Sequence, residues 1–395
     1  MNNKKNINIV IIGGGILGST IALALAQKGW NILIIEKNKF KNLKIQNEPY
    51  LRVSALNYQS IQFFKKINIW HEILKINRYQ SYKTIKILEN KKTILNFQSK
   101  NIQIPVMGYI IENNILQKIL LKNLIKKQNV SLKYSNKSIN LNYKKKKWEI
   151  IINNKKIFTD FIIGADGKFS ELSNIIGIRN YGFQYEQSCL LIIIKINQII
   201  KKDIVWQEFT STGPRAFLPL FDAYACLIWY EHPKKIKDLK NMTNKKLKEK
   251  IRKKFKNELN NIKIIKKDSF PLFFYHASHY IKNGIALIGD AAHTIHPLAG
   301  QGINLGLRDI NTLVNTLNYI KKNSLSINNK KNFYLYEKKR KQDFLLMQSS
   351  ITIIDFLFKS NFQLVSNIKE VLFNFLNKSN LLKNQILKYA LGLYF

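Results

Sequence analysis

Cysteine, proline and acidic residues are scarce in this chain. Among 395 residues there are two cysteines, seven prolines and 24 Asp and Glu against 65 Lys and Arg. Cys189 and Cys226 stand alone without a C-x-x-C pair, which excludes a disulfide framework and a zinc ribbon and fits a reduced, cytosolic setting. No uninterrupted apolar run reaches the roughly 20 residues of a membrane-spanning helix. We therefore expect a cytoplasmic protein that at most contacts a membrane face.

The formal net charge is +41 at pH 7, which often indicates nucleic acid or an anionic membrane as a partner. Here the lysines are scattered through nearly every segment, together with many Ile and Asn residues, as in INNKKIF and NNKKNFYLYEKKR. No nucleic-acid-binding motif accompanies them. We interpret the charge as a solvated basic surface and expect no nucleic-acid partner.

The first motif is an apolar run at residues 7–12 that leads into a glycine-rich turn and a helix. The turn reads Gly13-x-Gly15-x-x-Gly18, and a second apolar run after the helix ends in Glu36. Gly13 permits a tight turn, Gly15 lets the backbone approach a pyrophosphate, and Gly18 allows close helix packing. The helix N-terminus offers N–H groups to phosphates, and Glu36 can accept hydrogen bonds from a ribose. The pattern predicts an ADP-containing dinucleotide without a 2′-phosphate and leaves FAD and NAD open.

Two further strands end in glycine and an acid. The stretch DFIIGADGKFS places Asp166 and Gly167 after an apolar run, and NGIALIGDAAH places Gly289 and Asp290 after another. The turn at residues 300–302 then starts an amphipathic helix. Asp290 can accept hydrogen bonds from a polyhydroxyl chain, and the turn presents backbone N–H groups to an electron-rich oxygen. We expect all three corners to meet at a single cofactor.

The motifs GxGxxG, GADG and GDAAHTIHPLAGQGINLG together resemble those of the FAD-dependent aromatic hydroxylases with the para-hydroxybenzoate hydroxylase fold. The last motif is most similar to that of the ubiquinone-biosynthesis hydroxylases, and the resemblance runs essentially end to end. It implies FAD as the cofactor, bound by Gly13, Gly14, Gly15, Gly18, Glu36, Arg52, Asp166, Gly167, Gly289, Asp290, Gly300, Gln301 and Gly302. The implied loop at the flavin edge comprises Pro297, Gly300, Gln301 and Gly302. One departure is Glu112-Asn113-Asn114, where many members carry an arginine.

The resemblance also implies an activity. It points to a monooxygenase that hydroxylates the ring of a prenylated benzoquinol in ubiquinone biosynthesis, with dioxygen and NAD(P)H as co-substrates. A hydroxylase acting at another ring position, a flavin-dependent prenyl reductase and a basic nucleic-acid-binding protein are the alternatives. The implied partners are the benzoquinol substrate and either the face of the inner membrane or a ubiquinone-biosynthesis protein complex.

The histidines of the third motif suggest a metal site at first sight. His293 and His296 are three residues apart, and Asp290 lies three residues before them. Pro297 disfavours helical geometry at His296, however, and no further ligand lies nearby in a metal-binding pattern. We therefore predict no metal site.

The middle segment WQEFTSTGPRAFLPLFDAYACLIWY reads as apolar, aromatic strands that would roof a cavity over the flavin. Arg215 is the exception in this segment. A charge in an apolar strand needs a partner, either an acid or a substrate oxygen. We favour the substrate for Arg215.

The predicted fold is α/β, with a Rossmann-like FAD-binding domain interleaved with a β-sheet substrate domain. The FAD-binding domain is expected to comprise residues 1–75, 105–180 and 276–330, and the substrate domain residues 76–104 and 181–275. Residues 331–395 are expected to form C-terminal helices. Their apolar and basic residues alternate at roughly helical spacing, which leaves capping helices and contact with an anionic membrane leaflet both open.

Overall fold

The computed structural model describes residues 7–39, 45–137, 139–197, 201–255, 259, 261–360 and 362–394. The strands are β1 (Ile9–Ile12), β2 (Ile32–Glu36), β3 (Val53–Asn57), β4 (Tyr79–Tyr82), β5 (Thr84–Glu89), β6 (Lys92–Gln98), β7 (Gly108–Glu112), β8 (Val130–Tyr134), β9 (Asn140–Lys144), β10 (Lys147–Ile152), β11 (Lys155–Thr159), β12 (Phe161–Gly164), β13 (Asn180–Ile196), β14 (Ile204–Phe209), β15 (Arg215–Pro219), β16 (Tyr224–Glu231), β17 (Ile262–Ala277), β18 (Ile281–Lys282), β19 (Ile285–Leu287) and β20 (His293–Thr294). The helices are α1 (Ile16–Ala26), α2 (Tyr58–Lys66), α3 (Trp70–Ile76), α4 (Asn113–Ile125), α5 (Glu171–Ile175), α6 (Pro233–Asn241), α7 (Asn244–Lys254), α8 (Gln301–Lys322), α9 (Tyr334–Lys359), α10 (Gln363–Lys378) and α11 (Asn380–Ala390). Within these ranges, no helix combines the length and apolarity that crossing a membrane requires.

A six-stranded sheet in the order β18-β19-β12-β1-β2-β8 forms the first layer. All neighbours from β19 to β8 pair in parallel, whereas β18 is antiparallel to β19. β1 reads IVII and is buried along its whole length, as expected for a parallel strand covered on both faces. Helices α1, α4 and α8 contribute to the same apolar core. The carboxyl ends of the parallel strands therefore open at one common edge.

An eight-stranded sheet in the order β20-β17-β13-β16-β15-β14-β5-β6 forms the second layer. Alternate side chains of β13 enter two different cores, because successive residues of a strand point to opposite faces. Leu190 and Ile192 pack with α6 and α7, whereas Cys189 and Leu191 face Met107 and the C-terminal helix α11. The second of these cores lies between the large sheet and the small sheet β3-β7-β4.

The chain alternates between the two large sheets. Strands of the parallel sheet come from residues 9–36, 130–134, 161–164 and 281–287, and β9, β10 and β11 form a separate antiparallel meander. Strands of the larger sheet come mostly from residues 84–98 and 180–277, and β20 joins them by pairing with β17. This interleaving agrees with the expected α/β class, while the domain bounds stay a prediction.

Candidate cofactor and substrate site

The glycine corners that follow β1, β12 and β19 lie side by side, because these strands are neighbours in the parallel sheet. A Cβ atom added at Gly13 would lie 2.3 Å from the carbonyl oxygen of Ala165. One added at Gly289 would lie 2.2 Å from Cδ1 of Leu17 in α1. Gly13 also has a φ of +98°, which side chains rarely allow. The three corners thus meet at one edge of the sheet.

Gly15 and Gly18 of the first corner have opposite surroundings. A Cβ at Gly18 would lie 1.9 Å from the carbonyl oxygen of Gly13, whereas a Cβ at Gly15 would meet no atom within 4 Å. Gly18 therefore serves the packing of α1 on β1. Gly15 borders open space at the N-terminus of α1, where unpaired N–H groups attract phosphate.

Glu36 is linked to this corner by a hydrogen bond that sequence analysis did not predict. The N–H of Gly14 donates to Oε2 of Glu36 at 2.6 Å, and the N–H of Asn38 donates to Oε1 at 3.0 Å. A carboxylate has about four acceptor sites, so Glu36 keeps capacity for a ribose hydroxyl. From α4, Gln117 donates to the carbonyl of Gly14 at 2.9 Å and steadies the same turn.

Two side-chain oxygens near the corners that follow β12 and β19, one on Asp166 and one on Gln301, accept no hydrogen bond from the described residues. The N–H of Leu172 donates to Oδ2 of Asp166 at 3.1 Å, while Oδ1 is buried without a hydrogen-bond partner in the described part of the chain. Burial raises the pKa of Asp166. Oε1 of Gln301, in the first turn of α8, is likewise buried without such a partner among the described residues.

Asp290 is accessible to solvent at the edge of the sheet. Its carboxyl interacts electrostatically with His293 and Lys168. Lys168, in turn, has its pKa lowered mainly by burial, against an opposing effect of Asp290 and with a further lowering by Arg52. These effects indicate that Lys168 lies near both Asp290 and Arg52.

Lys168 was missed by sequence analysis. Its ammonium lies 3.6 Å from the ring centroid of Phe273, and the guanidinium of Arg52 lies 5.9 Å from that of Phe270, both in β17. The available signal was its position directly after the Asp166-Gly167 turn.

The residues at this edge fit FAD. Gly15, Gly167 and Gly302 border open space in which a Cβ would meet no protein atom within 4 Å. The N-termini of α1 and α8, where Gly300 has a φ of +64°, supply N–H donors. The free acceptor atoms of Asp166 and Gln301 suit hydroxyl or N–H groups of a ligand.

Asp309 of α8 stabilises the glycine corner at Gly289 by hydrogen bonds. The N–H of Gly289 donates to its Oδ2 at 2.9 Å, and Nε2 of His293 lies 2.8 Å from the same oxygen. Nε of Arg340 in α9 donates to Oδ1 at 2.6 Å. Burial alone raises the pKa of Asp309, but His293 and Arg340 outweigh burial and bring it below its ordinary value.

The network continues into the C-terminal helices. Nη1 of Arg340 donates to Oδ2 of Asp343 at 2.6 Å, and Nη1 of Arg308 donates to Oδ1 of Asp343 at 2.9 Å. The hydroxyl of Tyr389 in α11 donates to Asp343 at 3.1 Å. Two arginines and two aspartates are thus buried together, and nothing in the sequence spacing had indicated this cluster.

His296 has partners of its own. Its Nε2 lies 3.3 Å from Oε1 of Gln187, and its ring contacts those of Tyr185 and Tyr230 at centroid distances of 5.0 and 5.2 Å. The hydroxyl of Tyr230 donates to the carbonyl of Pro297 at 3.2 Å. His293 and His296 therefore enter separate clusters, and the described residues contain no group of three or more His, Cys, Asp or Glu side chains that could hold a metal.

The pH dependence of stability tests this placement of His296. Burial lowers the pKa of His296 to about 4 from the ordinary histidine value of 6.5. Between these two pH values, His296 is protonated in the unfolded chain but neutral in the folded chain. The free energy of unfolding is therefore unaffected by protonation of His296 above about pH 6.5. It falls as the pH is lowered from about 6.5 toward 4, by about 1.4 kcal/mol per pH unit. Urea unfolding between about pH 7 and 4.5 should show a shallower loss in His296→Gln than in the wild type. The exposed control His71→Asn should keep the wild-type slope, and an unchanged slope in His296→Gln would contradict the burial of its ring.

Arg215 has an acidic partner within the protein. Its Nη2 lies 3.6 Å from Oε2 of Glu208, its guanidinium donates to the carbonyl of Lys254, and its Cζ lies 6.0 Å from the ring centroid of Phe255. These contacts lie on the face of the large sheet that α6 and α7 cover. An acid on the neighbouring strand β14 thus supplies a partner for Arg215, and the substrate role favoured from the sequence stays a prediction.

The departure at Glu112 also has a structural account. Glu112 is buried and accepts from Nε and Nη2 of Arg78 at 2.7 and 2.8 Å and from the N–H of Tyr50 at 2.6 Å. Oγ of Ser54 donates to Oδ1 of Asn113 at 2.6 Å. An internal ion pair therefore occupies the start of α4.

A parallel sheet whose adjacent glycine corners face two helix N-termini is the geometry of a dinucleotide-binding protein. The family model described as "FAD binding domain" matches residues 6–324. The chain belongs to this family of FAD-dependent monooxygenases, so the predicted enzyme class and cofactor are confirmed.

Similar proteins agree with this assignment. The chain is 34% identical over 394 residues to 3-demethoxyubiquinol 3-hydroxylase of Escherichia coli (strain K12), covering 100% of both chains. It is 29% identical to ubiquinone biosynthesis monooxygenase COQ6, mitochondrial, of Dictyostelium discoideum, covering 99% of this chain and 92% of that one. The crystal structure of p-nitrophenol 4-monooxygenase PnpA from Pseudomonas putida DLL-E4 matches with a TM-score of 0.76 and 16% identity, covering 96% of each chain. This structural likeness confirms the predicted fold class.

Proposed function

We propose that this enzyme hydroxylates the ring of a prenylated benzoquinol in ubiquinone biosynthesis, by 3-demethoxyubiquinol 3-hydroxylation. The observation that carries the proposal is the similarity over the full length of both chains to the hydroxylase of that name. The convergence of three glycine corners at one sheet edge supports it, since ring hydroxylation by this class needs a bound FAD.

In this proposal Gly13, Gly14, Gly15 and Gly18 form the turn that brings the pyrophosphate to the N-terminus of α1, whose N–H groups bind it, and Glu36 binds the ribose. The remaining FAD contacts come from Arg52, Asp166, Gly167, Gly289, Asp290, Gly300, Gln301 and Gly302. FAD supplies the redox chemistry that activates dioxygen.

The chain itself orients the ring and excludes water. The face of the large sheet that carries Cys189, Leu191 and Tyr230 packs against Met107 in an apolar core, and the proposed ring site borders this core. The hydroxyl of Tyr230 fixes the carbonyl of Pro297, and so couples this core to the proposed flavin-edge loop. A quinol ring is already electron-rich through its own oxygens, so the proposal requires no catalytic base from the chain.

The proposed co-substrates are dioxygen and NAD(P)H. A single dinucleotide fingerprint occurs in the sequence, so NAD(P)H would dock transiently. The proposed location is the cytoplasm, in peripheral contact with the inner membrane that holds a prenylated quinol. A ubiquinone-biosynthesis protein complex is the alternative setting.

Product analysis tests the proposed reaction. The purified enzyme is supplied with NAD(P)H, isotope-labelled dioxygen and each candidate quinol precursor, and the products are weighed by mass spectrometry. The proposal predicts one labelled oxygen in the product of 3-demethoxyubiquinol alone. Labelled product from another precursor would indicate a hydroxylase for a different ring position, which the similarity to the COQ6 protein makes the second candidate. Hydrogen gain without label would indicate a prenyl reductase.

A further inference from the structure

The C-terminal helices expose a concentration of large apolar side chains. Of 25 such side chains exposed in the described ranges, twelve lie between residues 345 and 386. Single exposed apolar residues are common, but a cluster of this kind marks an interaction surface.

Helix α10 carries the most regular part of this surface. Leu364, Ile368, Val371 and Phe375 are 76, 61, 70 and 58% exposed and follow the spacing i, i+4, i+7 and i+11. This spacing places them along one side of the helix, and we call them the α10 stripe. No residue of α10 is buried, although Phe373 packs against the cluster that contains α9. The helix therefore lies along the protein with an apolar side facing solvent.

The charges nearby indicate what covers the α10 stripe. Between residues 345 and 394, Lys359 pairs with Asp355 and Lys369 pairs with Glu89. The other lysines of this segment are Lys378, Lys383 and Lys388, against the acid Glu370, so the segment keeps an excess of positive charge for head groups. A second copy of the chain would bring another net charge of +41 to the interface, which like-charge repulsion disfavours. An anionic bilayer offers both an apolar layer for the stripe and negative head groups for the lysines.

We propose that the α10 stripe docks this enzyme onto an anionic lipid bilayer. The same C-terminal helices also reach the interior of the protein. Phe344 and Met347 of α9 share an apolar cluster with Leu298 beside the proposed flavin-edge loop. Leu387 of α11 joins the core that faces the large sheet. Docking through α10 brings this end of the ring site close to the membrane, and the delivery of a prenylated quinol by this route rests on the proposed function.

Vesicle flotation with the full chain loaded with FAD tests the proposal. One set of vesicles contains phosphatidylcholine with about one quarter phosphatidylglycerol, and the other contains phosphatidylcholine alone. The wild type should float with the anionic vesicles, and much less with neutral vesicles or at high salt. The variant Leu364→Ser/Val371→Ser/Phe375→Ser should bind the anionic vesicles about tenfold more weakly or worse.

A matched control removes three exposed apolar side chains elsewhere on the surface. The variant Ile125→Ser/Phe158→Ser/Tyr319→Ser starts from side chains that are 78, 55 and 61% exposed and should float like the wild type. Thermal unfolding and FAD content establish that all the proteins are equally folded. Wild-type protein that stays in solution, or an α10 variant that floats as well as the wild type, overturns the proposal. An α10 variant that loses only self-association in sedimentation assigns the stripe to a second copy instead.

These outcomes are separable from those of the proposed function, because flotation requires neither substrate nor turnover. Flotation without a labelled quinol product would leave the docking surface standing and refute the reaction. Labelled product from detergent-dispersed quinol without flotation would refute the docking surface alone.

Discussion

Replacing Gly15 by alanine is expected to weaken FAD binding about a hundredfold and to leave the free energy of unfolding of the apoprotein unchanged. The backbone at Gly15 has a φ of −61°, which alanine adopts without strain, and the added Cβ meets no protein atom within 4 Å. The space that the methyl group enters is the space through which the proposed pyrophosphate approaches the chain. The substitution should therefore act on the ligand and not on the fold.

Gly18→Ala is the matched control for that experiment. Its Cβ would lie 1.9 Å from the carbonyl oxygen of Gly13, and this backbone atom cannot turn aside as a flexible side chain can. We expect a loss of about 3 kcal/mol or more in the free energy of unfolding. Urea unfolding of the apoproteins and fluorescence titration with FAD separate the two effects. Wild-type FAD affinity in Gly15→Ala would mean that the pyrophosphate does not bind beside this residue.

Replacing Asp309 by alanine is expected to lower the free energy of unfolding by about 3–5 kcal/mol. Asp309 is 0% exposed, and its carboxylate accepts from the N–H of Gly289 and from Arg340 and lies against His293. Two buried arginines are balanced by two buried aspartates in this network. Among the described residues, loss of this acid leaves Arg340 with Asp343 as its one acidic partner, which it shares with the guanidinium of Arg308.

Asp355→Asn controls for the loss of an aspartate from a helical ion pair. Asp355 lies 2.7 Å from Lys359 on α9, and both side chains are about one third exposed, so we expect a loss of less than about 1 kcal/mol. Urea unfolding measures both variants, and FAD titration adds a second readout for Asp309→Ala, because the N–H of Gly289 loses its acceptor there. A loss below about 1 kcal/mol in Asp309→Ala would show that the network is not the buried, mutually dependent cluster described above.

The glycine motifs were readable from the sequence because each acts over a few residues. A strand followed by glycine at fixed spacing specifies a tight turn, a close approach and a helix start wherever the strand lies. The structure places the resulting corners of Gly13, Ala165 and Gly289 at one sheet edge, as the motifs led us to expect. The parallel direction of the strands was also predictable, because a short, continuous apolar run is typical of a parallel strand that is buried on both faces.

The partner of Arg215 could not be derived in the same way. An isolated charge in an apolar strand indicates only that it has some partner. The sequence contains acids at many different distances along the chain from Arg215, so it does not show which one is the partner. Strand pairing between β14 and β15 selected Glu208, and strand alternation turned both side chains toward α6 and α7. Glu112 and Arg78 pose the same problem, because 34 residues separate two side chains that hydrogen-bond at 2.7 Å.

By itself, the sequence determined the dinucleotide fingerprint, the glycine corners and the alternation between two kinds of sheet, since all of these depend on the backbone geometry of short segments. FAD as the cofactor followed from the family resemblance of the motifs. Tertiary structure alone decided which charges are buried together, which core each face of β13 enters and which side of α10 is left exposed. Which side chains are buried against one another depends on packing between segments that are distant in the chain. The residues next to each of those side chains in the sequence do not indicate that packing.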